Sequence, residues 1–288
     1  MLLESVEYVR PATVEEALEA LRSTEGAAPL AGGQSLVNVL KNRVAAVELL
    51  VDISALEELR TIDADGGALE IGACVTYDEL DRSPDVRAAH PMLADVAGHI
   101  EDQQIRNRGT IGGNCCLSDP TNNLPPLLIA LGATMNVEGA AGLRQVPADE
   151  FFKGYFMTAV EPGEILRSIS IPALPGDAGV GYNTLAVAYD AKAIVRAAAM
   201  IQGNGEIADA RVVLAVVGPV PIRHAGMEEA LRGAPATAET ADQAAEAIGD
   251  DIEPMSDTHG SAEYRRQVAR VVARRAVTEA IARGGESQ

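Results

Sequence analysis

The stretch that organises the chain is QQIRNRGTIGGNCCLSDPTNNLPPLLIAL, which runs from Gln103 to Leu131. Three glycines near its start are followed by leucines at helical spacing. These residues are Gly109, Gly112 and Gly113, then Leu124, Leu127, Leu128 and Leu131. Glycine allows the main chain to approach a ligand closely, and free N–H groups before a helix attract phosphate. The pattern predicts a glycine turn, able to bring backbone N–H groups against a ligand, followed by a helix.

A second turn of the same kind lies upstream. Its sequence is AGGQS, from Ala31 to Ser35, and an apolar run follows at 36–40. Neither turn has the G-x-G-x-x-G pattern of dinucleotide-binding proteins or the Gly-Lys-Ser/Thr ending of a P-loop. Taken alone, each turn is first interpreted as a structural turn, but two of them in one chain suit a ligand with a diphosphate.

The composition indicates a soluble globular protein. The 288 residues are enough for more than one domain, and 47% of them are apolar. The net charge of −19 argues against nucleic acid, whose binding needs Lys and Arg. No apolar segment approaches the roughly 20 residues of a membrane span, and the N-terminus lacks the features of a signal peptide. Three cysteines give no disulfide framework, so we expect a cytoplasmic protein without a membrane span.

Local signals place the elements of the first half of the chain. Capping boxes are predicted at Thr13–Glu16, Ser54–Glu57 and Thr76–Glu79. Strands are predicted at 28–30, 48–53, 68–72, 134–137 and 165–171, and turn residues at 63–67. Gly132 is expected to end the helix that contains Leu131. A break between two subdomains is predicted near residue 55.

The pattern changes after a segment rich in Pro and Gly, Ala173–Gly179, which is the best linker candidate. Strand-like runs at 193–201 and 207–217 flank Gly203-Asn204-Gly205, a hairpin signal. A final amphipathic helix begins at Ser261. Its apolar face is expected to hold Val268, Val271, Val272 and Ala276. Its arginines form either a solvated face or a partner surface, and the order of strands before helices predicts an α+β domain.

The two glycine motifs resemble those of a known protein family. Ala31–Ser35 is similar to the AGG-x-S motif, and Thr110–Asn114 matches the TIGGN motif, of the FAD-binding medium subunits of molybdenum hydroxylases. This is the family of carbon monoxide dehydrogenase, quinoline oxidoreductase and xanthine dehydrogenase. The segments Ile105–Gly109, Pro162–Leu166 and Ser261–Arg266 also resemble family features, so the likeness covers nearly the whole chain.

The resemblance implies the architecture and the partners. It implies an α+β protein with a two-lobed, PCMH-like FAD-binding domain at 1–173, with lobes at about 1–55 and 56–173. A smaller α+β domain of the carbon monoxide dehydrogenase flavoprotein type follows at 178–286. The chain carries FAD, whereas the [2Fe-2S] iron–sulfur clusters and the molybdenum cofactor belong to small and large partner subunits, in a dimer of heterotrimers. Electrons reach the flavin from the clusters and leave for an external acceptor, and a flavin suits this task because it exchanges electrons singly or in pairs.

The resemblance also carries over a set of FAD contacts. They are Ala31, Gly32, Gly33, Gln34 and Ser35 in the first loop, Thr110, Ile111, Gly112, Gly113 and Asn114 in the second, and Asn123, Leu166 and Lys192 elsewhere. Backbone N–H groups and hydroxyls would hold the pyrophosphate, and Leu166 would pack near the isoalloxazine. No catalytic base and no metal site is expected in this chain. Cys115 and Cys116 lack metal spacing and are expected to be small buried side chains. The chain also lacks the cysteines for the extra cluster of the 4-hydroxybenzoyl-CoA reductases.

The chain departs from the family pattern at three places. Gln34 stands where relatives often have His, and it keeps a hydrogen-bonding side chain. Asn123 stands where they often have Asp, so an amide would replace a carboxylate. Ala191 and Lys192 stand where they have Asp followed by Tyr or another apolar residue. If Lys192 lies over the flavin ring, it would favour anionic reduced flavin and raise the potential; the alternative is a solvated surface lysine.

Two alternative functions remain open. The first is a bridging or assembly subunit of the same complex that has lost FAD, which the changes at Asn123 and Lys192 motivate. The second is a freestanding flavoprotein oxidase, which the lack of any substrate-pocket base disfavours. The sequence leaves open both the substrate of the complex and the electron acceptor.

Overall fold

The first lobe is a three-stranded parallel sheet. In this computed structural model, which describes residues 4–187 and 192–286, its strands are β1 (Glu7–Val9), β2 (Ala27–Leu30) and β3 (Leu49–Asp52). The strand order is β1-β3-β2, and both pairs are parallel because a helix connects each strand to the next. These helices are α1 (Val14–Ser23) and α2 (Leu36–Lys41). The strands predicted at 28–30 and 48–53 are confirmed.

Helix α1 begins where the capping signal predicts. Thr13 Oγ1 accepts a hydrogen bond from the Glu16 N–H at 3.2 Å. The Glu16 carboxylate accepts from the N–H of Ala12 at 2.8 Å. Two N–H groups at the helix start are thereby satisfied, which fixes the orientation of the helix on the sheet.

The capping box predicted at Ser54–Glu57 is wrong. A short 3-10 helix lies at Glu57–Leu59, preceded by Leu56, and no side chain caps it. The Ser54 N–H instead donates to Asp52 Oδ1 at 3.0 Å. Aspartate side chains bind N–H groups two residues on in turns, and here that local bond competes successfully with a helix cap.

The second lobe is built on a five-stranded antiparallel sheet. The strands of this lobe are, in chain order, β4 (Ile62–Asp65), β5 (Ala68–Gly72), β6 (Thr134–Gly139), β7 (Gly142–Pro147), β8 (Phe152–Gly154), β9 (Met157–Thr158) and β10 (Ile165–Ile171). Strands β8 and β9 form a separate two-stranded sheet. The large sheet has the order β4-β5-β10-β6-β7. The strands predicted at 68–72, 134–137 and 165–171 are confirmed. The turn predicted at 63–67 is shorter than expected, because only Gly66 and Gly67, with φ of 55° and 88°, lie between β4 and β5.

Helices cover one part of this sheet and carry the central sequence stretch. They are α3 (Tyr77–Arg82), α4 (Pro84–Ala89), α5 (Pro91–Gly98), α6 (Gln103–Arg106), α7 (Ile111–Leu117), α8 (Leu124–Ala130) and α9 (Ala148–Phe151). The capping box at Thr76 and Glu79 is confirmed, with bonds in both directions. Helix α8 is almost entirely buried, and Gly132, with φ of 69°, follows its end as predicted. The core of the lobe therefore forms around α8 and β10.

The C-terminal domain is an antiparallel sheet covered by helices. Its strands are β11 (Ala178–Ala186), β12 (Ala193–Gln202), β13 (Asp209–Ala215) and β14 (Ile222–Arg223), paired in chain order. Its helices are α10 (Ala225–Leu231), α11 (Ala238–Ala245) and α12 (Ala262–Glu286). The predicted hairpin is confirmed as β12 and β13. The linker is shorter than Ala173–Gly179, because β11 already begins at Ala178.

Helix α12 packs directly on the backbone of β11. A Cβ atom added at Gly179 would collide with the carbonyl oxygen of Ala280, and one at Gly181 with that of Ala276. Glycine is required at such positions because no side chain fits between the two main chains. The predicted apolar face of α12 is correct for Val268, Val272 and Ala276, which are buried, but wrong for Val271, which is exposed.

Most of the arginines of α12 are paired within the chain. Arg266, Arg270 and Arg274 pair with acidic residues of α11 and of the loop that follows it. Arg265 is buried, donates to the carbonyl oxygen of Ile194 at 2.5 Å, and pairs with Asp257. The arginine-rich pattern therefore ties the last helix to its own domain.

Candidate functional site

The TIGGN motif forms the start of helix α7. Thr110 is the N-cap, and its Oγ1 accepts from the Gly113 N–H at 3.0 Å. The N–H groups of Ile111 and Gly112 donate to backbone oxygens of the β5–α3 connection, at 3.0 and 2.9 Å. The sequence predicted a glycine turn before the helix, but Gly112 and Gly113 lie in the first turn of the helix itself. The N–H groups of residues 111–113 are engaged by the protein itself.

Gly112 lets α7 approach the sheet closely. A Cβ atom on Gly112 would lie 2.6 Å from the carbonyl oxygen of Ala73. The Ala73 N–H in turn donates to the Arg167 carbonyl in β10 at 2.9 Å. Leu166, the predicted ring contact, precedes Arg167 in β10; its side chain is only 4% exposed and belongs to the core of the lobe. The helix start and Leu166 are thus held near each other by main-chain bonds.

Asn114 ties α7 to two other elements. Its Nδ2 donates to the Tyr77 hydroxyl at 3.0 Å, and its Oδ1 accepts from the Leu124 N–H at 3.4 Å. Its backbone oxygen accepts from Asn122 Nδ2 at 2.7 Å. Burial raises the pKa of Tyr77 well above its ordinary value, so this hydroxyl stays protonated. The motif asparagine therefore has a structural role in joining α7, α3 and α8.

The AGGQS loop contacts the TIGGN region. A Cβ atom on Gly32 would collide with the carbonyl oxygen of Arg108, and Gly33 has φ of 72°. The Gln34 side chain donates to the Gly32 carbonyl at 3.2 Å. Within the described ranges 4–187 and 192–286, the N–H groups of residues 32–35 donate to no protein acceptor. This loop, unlike the second one, keeps a row of free N–H donors.

A cleft of about 740 Å³ lies between the two N-terminal lobes and the C-terminal domain. On one side it is lined by Ser35 of the first loop and by Leu117, Asp119, Thr121, Asn122 and Asn123. On the other side it is lined by residues of β11, β12 and α12. The structure therefore brings three of the sequence-predicted residues, Ser35, Asn123 and Lys192, to one cleft. Leu166 does not line it.

Lys192 lies at the cleft and forms an ion pair. Its Nζ is 2.9 Å from Asp119 Oδ2, with the lysine side chain 63% exposed and the aspartate 14%. Burial acts to raise the pKa of Asp119, but hydrogen bonds from Thr121 and from Lys192 outweigh it and hold that pKa below its ordinary value. Ala191, named with Lys192 in the sequence analysis, lies outside the described residues.

Arg196 is a cleft residue that sequence reasoning missed. It lies in β12, whose other residues up to Ile201 are apolar and buried, and it is itself only 6% exposed. It lines the cleft opposite Asn123. A single arginine inside an apolar strand, AIVRAAAMI, was the signal that could have found it, because a buried charge requires specific partners.

The cysteine prediction is half correct. Cys115 is buried, but Cys116 is exposed, as is Gly113 one turn earlier on α7. The helix therefore presents an open face beside the motif, where a thiol and a bare glycine backbone are accessible. No group of acidic residues, histidines and cysteines that could hold a metal occurs in the described part of the chain.

Comparison with known proteins identifies the family. Residues 4–174 match the model of the FAD binding domain in molybdopterin dehydrogenase, and residues 181–280 match the CO dehydrogenase flavoprotein C-terminal domain. The chain belongs to the FAD-binding medium subunits of the molybdenum hydroxylases. This confirms the α+β architecture, the FAD-binding assignment and the membership of a complex with iron–sulfur and molybdenum subunits that the sequence predicted.

The similarity extends over whole chains. The carbon monoxide dehydrogenase medium chain of Hydrogenophaga pseudoflava is 37% identical over 98% of this medium subunit and 99% of the relative. The glyceraldehyde dehydrogenase medium chain of Sulfolobus acidocaldarius is 35% identical over 94% and 97%. The solved carbon monoxide dehydrogenase from H. pseudoflava matches with a TM-score of 0.95 at 38% identity, over 98% and 99% of the chains. Among the residues described, no helix of this medium subunit has the length and apolar character of a membrane span.

Proposed function

We propose that this medium subunit binds one FAD along the AGGQS loop and in the cleft, and passes electrons from the [2Fe-2S] clusters of its partner to an external acceptor. The observation that best supports this proposal is the conformation of the AGGQS loop. Gly32 meets Arg108 without room for a side chain, and the N–H groups of residues 32–35 remain free within the described chain. Free N–H groups in a glycine loop are suited to a pyrophosphate.

The size and position of the cleft support the same conclusion. Its volume of about 740 Å³ falls in the range of cofactor pockets. Ser35, at the end of the loop, lines it, so a ligand held at the loop extends directly into the space between the domains. When bound, the flavin supplies the exchange of one or two electrons.

We propose different tasks for the two motifs. In the first, Gly32, Gly33, Gln34 and Ser35 offer backbone N–H groups and one free hydroxyl, and Ala31 packs beneath them. In the second, residues 111–114 fix the start of α7, and the open face at Gly113 is the part that a ligand reaches; Thr110, which caps the helix, remains a proposed contact. Leu166, Asn123 and Lys192 remain proposed contacts of the ring or its chain.

The test is to measure the FAD content of the purified subunit, assembled with its partners. The visible spectrum and the nucleotide that heat releases both give this content. We expect one FAD per chain in the wild type. Ser35→Ala is the most informative variant, because the Ser35 side chain does not cap α2. It should lower the affinity for FAD roughly tenfold through the loss of a hydrogen bond, while thermal stability of the apo form stays unchanged.

A second variant tests the contact between the loops. Gly32→Ala should separate the AGGQS loop from Arg108 and lower FAD content. Gly176→Ala is its control, because no heavy atom lies within 4 Å of the added methyl group. A wild-type complex that is colourless and takes up no added FAD would favour the flavin-free bridging subunit instead.

The remaining assignments are also proposals. We propose domain bounds at 1–173 and 178–286, a dimer of heterotrimers, and a cytoplasmic location. The relatives are named for carbon monoxide and for glyceraldehyde. Because such different substrates accompany similar medium subunits, we propose that the substrate is chosen by the molybdenum subunit. Copurification with cluster-bearing partners, measured by size and by iron content, tests the complex and excludes a freestanding oxidase.

A further inference from the structure

Arg196 is a buried cation without a counter-ion. Its guanidinium donates to the Thr121 carbonyl at 3.2 Å, the Tyr182 hydroxyl at 3.2 Å and Thr184 Oγ1 at 3.1 Å. The Asn123 side-chain oxygen, turned toward it, accepts from Nη1 at 3.0 Å and Nη2 at 3.2 Å. All of these partners are neutral. They satisfy hydrogen bonds but leave the full positive charge in place.

Two carboxylates that line the cleft are engaged by other groups. Asp119 pairs with Lys192, and Glu279 accepts from the Tyr182 N–H at 3.0 Å and pairs with Arg283. In the described residues, no carboxylate oxygen comes within 4.0 Å of the Arg196 nitrogens. A buried charge costs several kcal/mol unless a counter-charge compensates it. An anionic group that enters the cleft would supply the missing counter-charge.

Asn123 preserves this unbalanced charge. An aspartate has nearly the same shape and would form an ion pair with Arg196 in the same position. The asparagine amide instead offers one neutral oxygen, and the Tyr182 hydroxyl donates to the Asn123 backbone oxygen at 2.8 Å, which fixes this arrangement. Because Asn123 is neutral, the positive charge of Arg196 is not cancelled and makes the electrostatic potential in the cleft positive.

We propose that the positive charge of Arg196 stabilises the negative charge of the reduced flavin. This inference rests on the proposed binding of FAD in the cleft. A flavin that takes up two electrons from the partner's clusters and one proton from solvent gains one net negative charge on its ring. A fixed positive charge near the ring favours that form over the neutral oxidised form, and it raises the reduction potential.

The experiment compares the affinity for oxidised and reduced FAD in the assembled complex. Arg196→Gln removes the charge, Asn123→Asp cancels it with little change of shape, and Arg196→Lys keeps it. Arg82→Gln is the control, because Arg82 is exposed and pairs with Asp78 away from the cleft. The readouts are FAD per chain, the dissociation constant for each oxidation state, and the midpoint potential from a spectroelectrochemical titration.

Arg196→Gln and Asn123→Asp should each weaken the binding of reduced FAD roughly tenfold more than that of oxidised FAD, which corresponds to a potential lowered by about 30 mV. Arg196→Lys should keep most of the wild-type potential, and Arg82→Gln all of it. Equal loss for both oxidation states would assign Arg196 to the phosphates and overturn the inference, as would an unchanged potential in Asn123→Asp. If the wild type binds no FAD, the proposed function itself fails, which is a separate result.

Discussion

Asn114 donates a hydrogen bond from Nδ2 to the hydroxyl of Tyr77 at 3.0 Å, and this bond joins the first turns of α7 and α3. Both residues are buried. The start of α7 is thus fixed by a side-chain bond to α3 as well as by its own cap. The bond between Asn114 and Tyr77 therefore helps to fix the TIGGN motif in place before any ligand binds.

Removing the hydroxyl should destabilise the fold. Tyr77→Phe leaves the buried Asn114 N–H without its acceptor, so we expect the free energy of unfolding to fall by about 1–3 kcal/mol. Urea denaturation of the purified chain measures it. Tyr264→Phe serves as the control, because Tyr264 is exposed. Equal stabilities of Tyr77→Phe and the wild type would show that the bond contributes nothing.

The two glycines of the TIGGN motif should respond differently to alanine. At Gly112 the new methyl group would press against the backbone of Ala73, and we expect a loss of about 3 kcal/mol of stability. Gly113 lies on the exposed face, and its methyl group would meet only the Thr110 hydroxyl, at 2.9 Å. We expect Gly113→Ala to fold and to bind FAD at least tenfold more weakly, which thermal melts with and without FAD would check. A Gly113→Ala chain with normal FAD affinity would refute the open-face assignment.

The ion pair of Asp119 with Lys192 should make stability depend on pH in the acid range. The pKa of Asp119 is depressed in the folded state below its ordinary value of 3.8. Its contribution is therefore present above pH 3.8 and is lost as the pH falls through the lower folded pKa. We expect the difference in Tm between the wild type and Asp119→Asn to be constant near neutral pH and to shrink below pH 3.8. A difference that persists unchanged in acid would contradict this assignment.

Lys192 should influence the flavin less than Arg196 does. Sequence reasoning raised the hypothesis that Lys192 increases the flavin potential, and its carboxylate partner at 2.9 Å now offers a counter-charge. We expect Lys192→Tyr to lower the midpoint potential by less than Arg196→Gln, because the field of a paired, largely exposed ammonium is screened. A larger shift in Lys192→Tyr would restore the lysine as the principal charge at the ring.

The close packing of α12 on β11 should not tolerate a side chain. Gly181→Ala forces the helix and the strand apart, and we expect a loss of about 3 kcal/mol of stability. Chemical denaturation monitors it, with Gly176→Ala as the control in the neighbouring linker. If Gly181→Ala were as stable as the control, the main chains would have to be further apart than described.

Local sequence signals predicted what local physics decides. The caps at Thr13 and Thr76, the glycine that ends α8 and the hairpin of β12 and β13 depend on neighbours within a few residues, and each was predicted correctly. The capping box predicted at Ser54 was wrong for an equally local reason, because the side chain of Asp52 accepts a hydrogen bond from the Ser54 N–H. The motifs and the family followed from short exact patterns.

Features that depend on distant parts of the chain were not predictable in this way. Periodicity placed Val271 on the apolar face of α12, but the helix turns it to solvent. The engagement of the Gly112 N–H by Ala73 depends on how α7 docks on the sheet. The role of Arg196 depends on its hydrogen bonds to Thr121 and Tyr182, which lie in other parts of the chain. The geometry of the cleft therefore required the structure.

The glycine contacts between β11 and α12 also bear on the wall of the cleft. Tyr182, which lies next to Gly181 and lines the cleft, is fixed by a strand whose far side rests on a helix from the opposite end of the domain. Bringing such distant segments together carries a loop-closure cost, because the long intervening chain loses conformational freedom. The wall of the cleft that holds Tyr182 therefore depends on a contact between the two ends of the domain, and a change that loosens α12 would reach the cleft through β11.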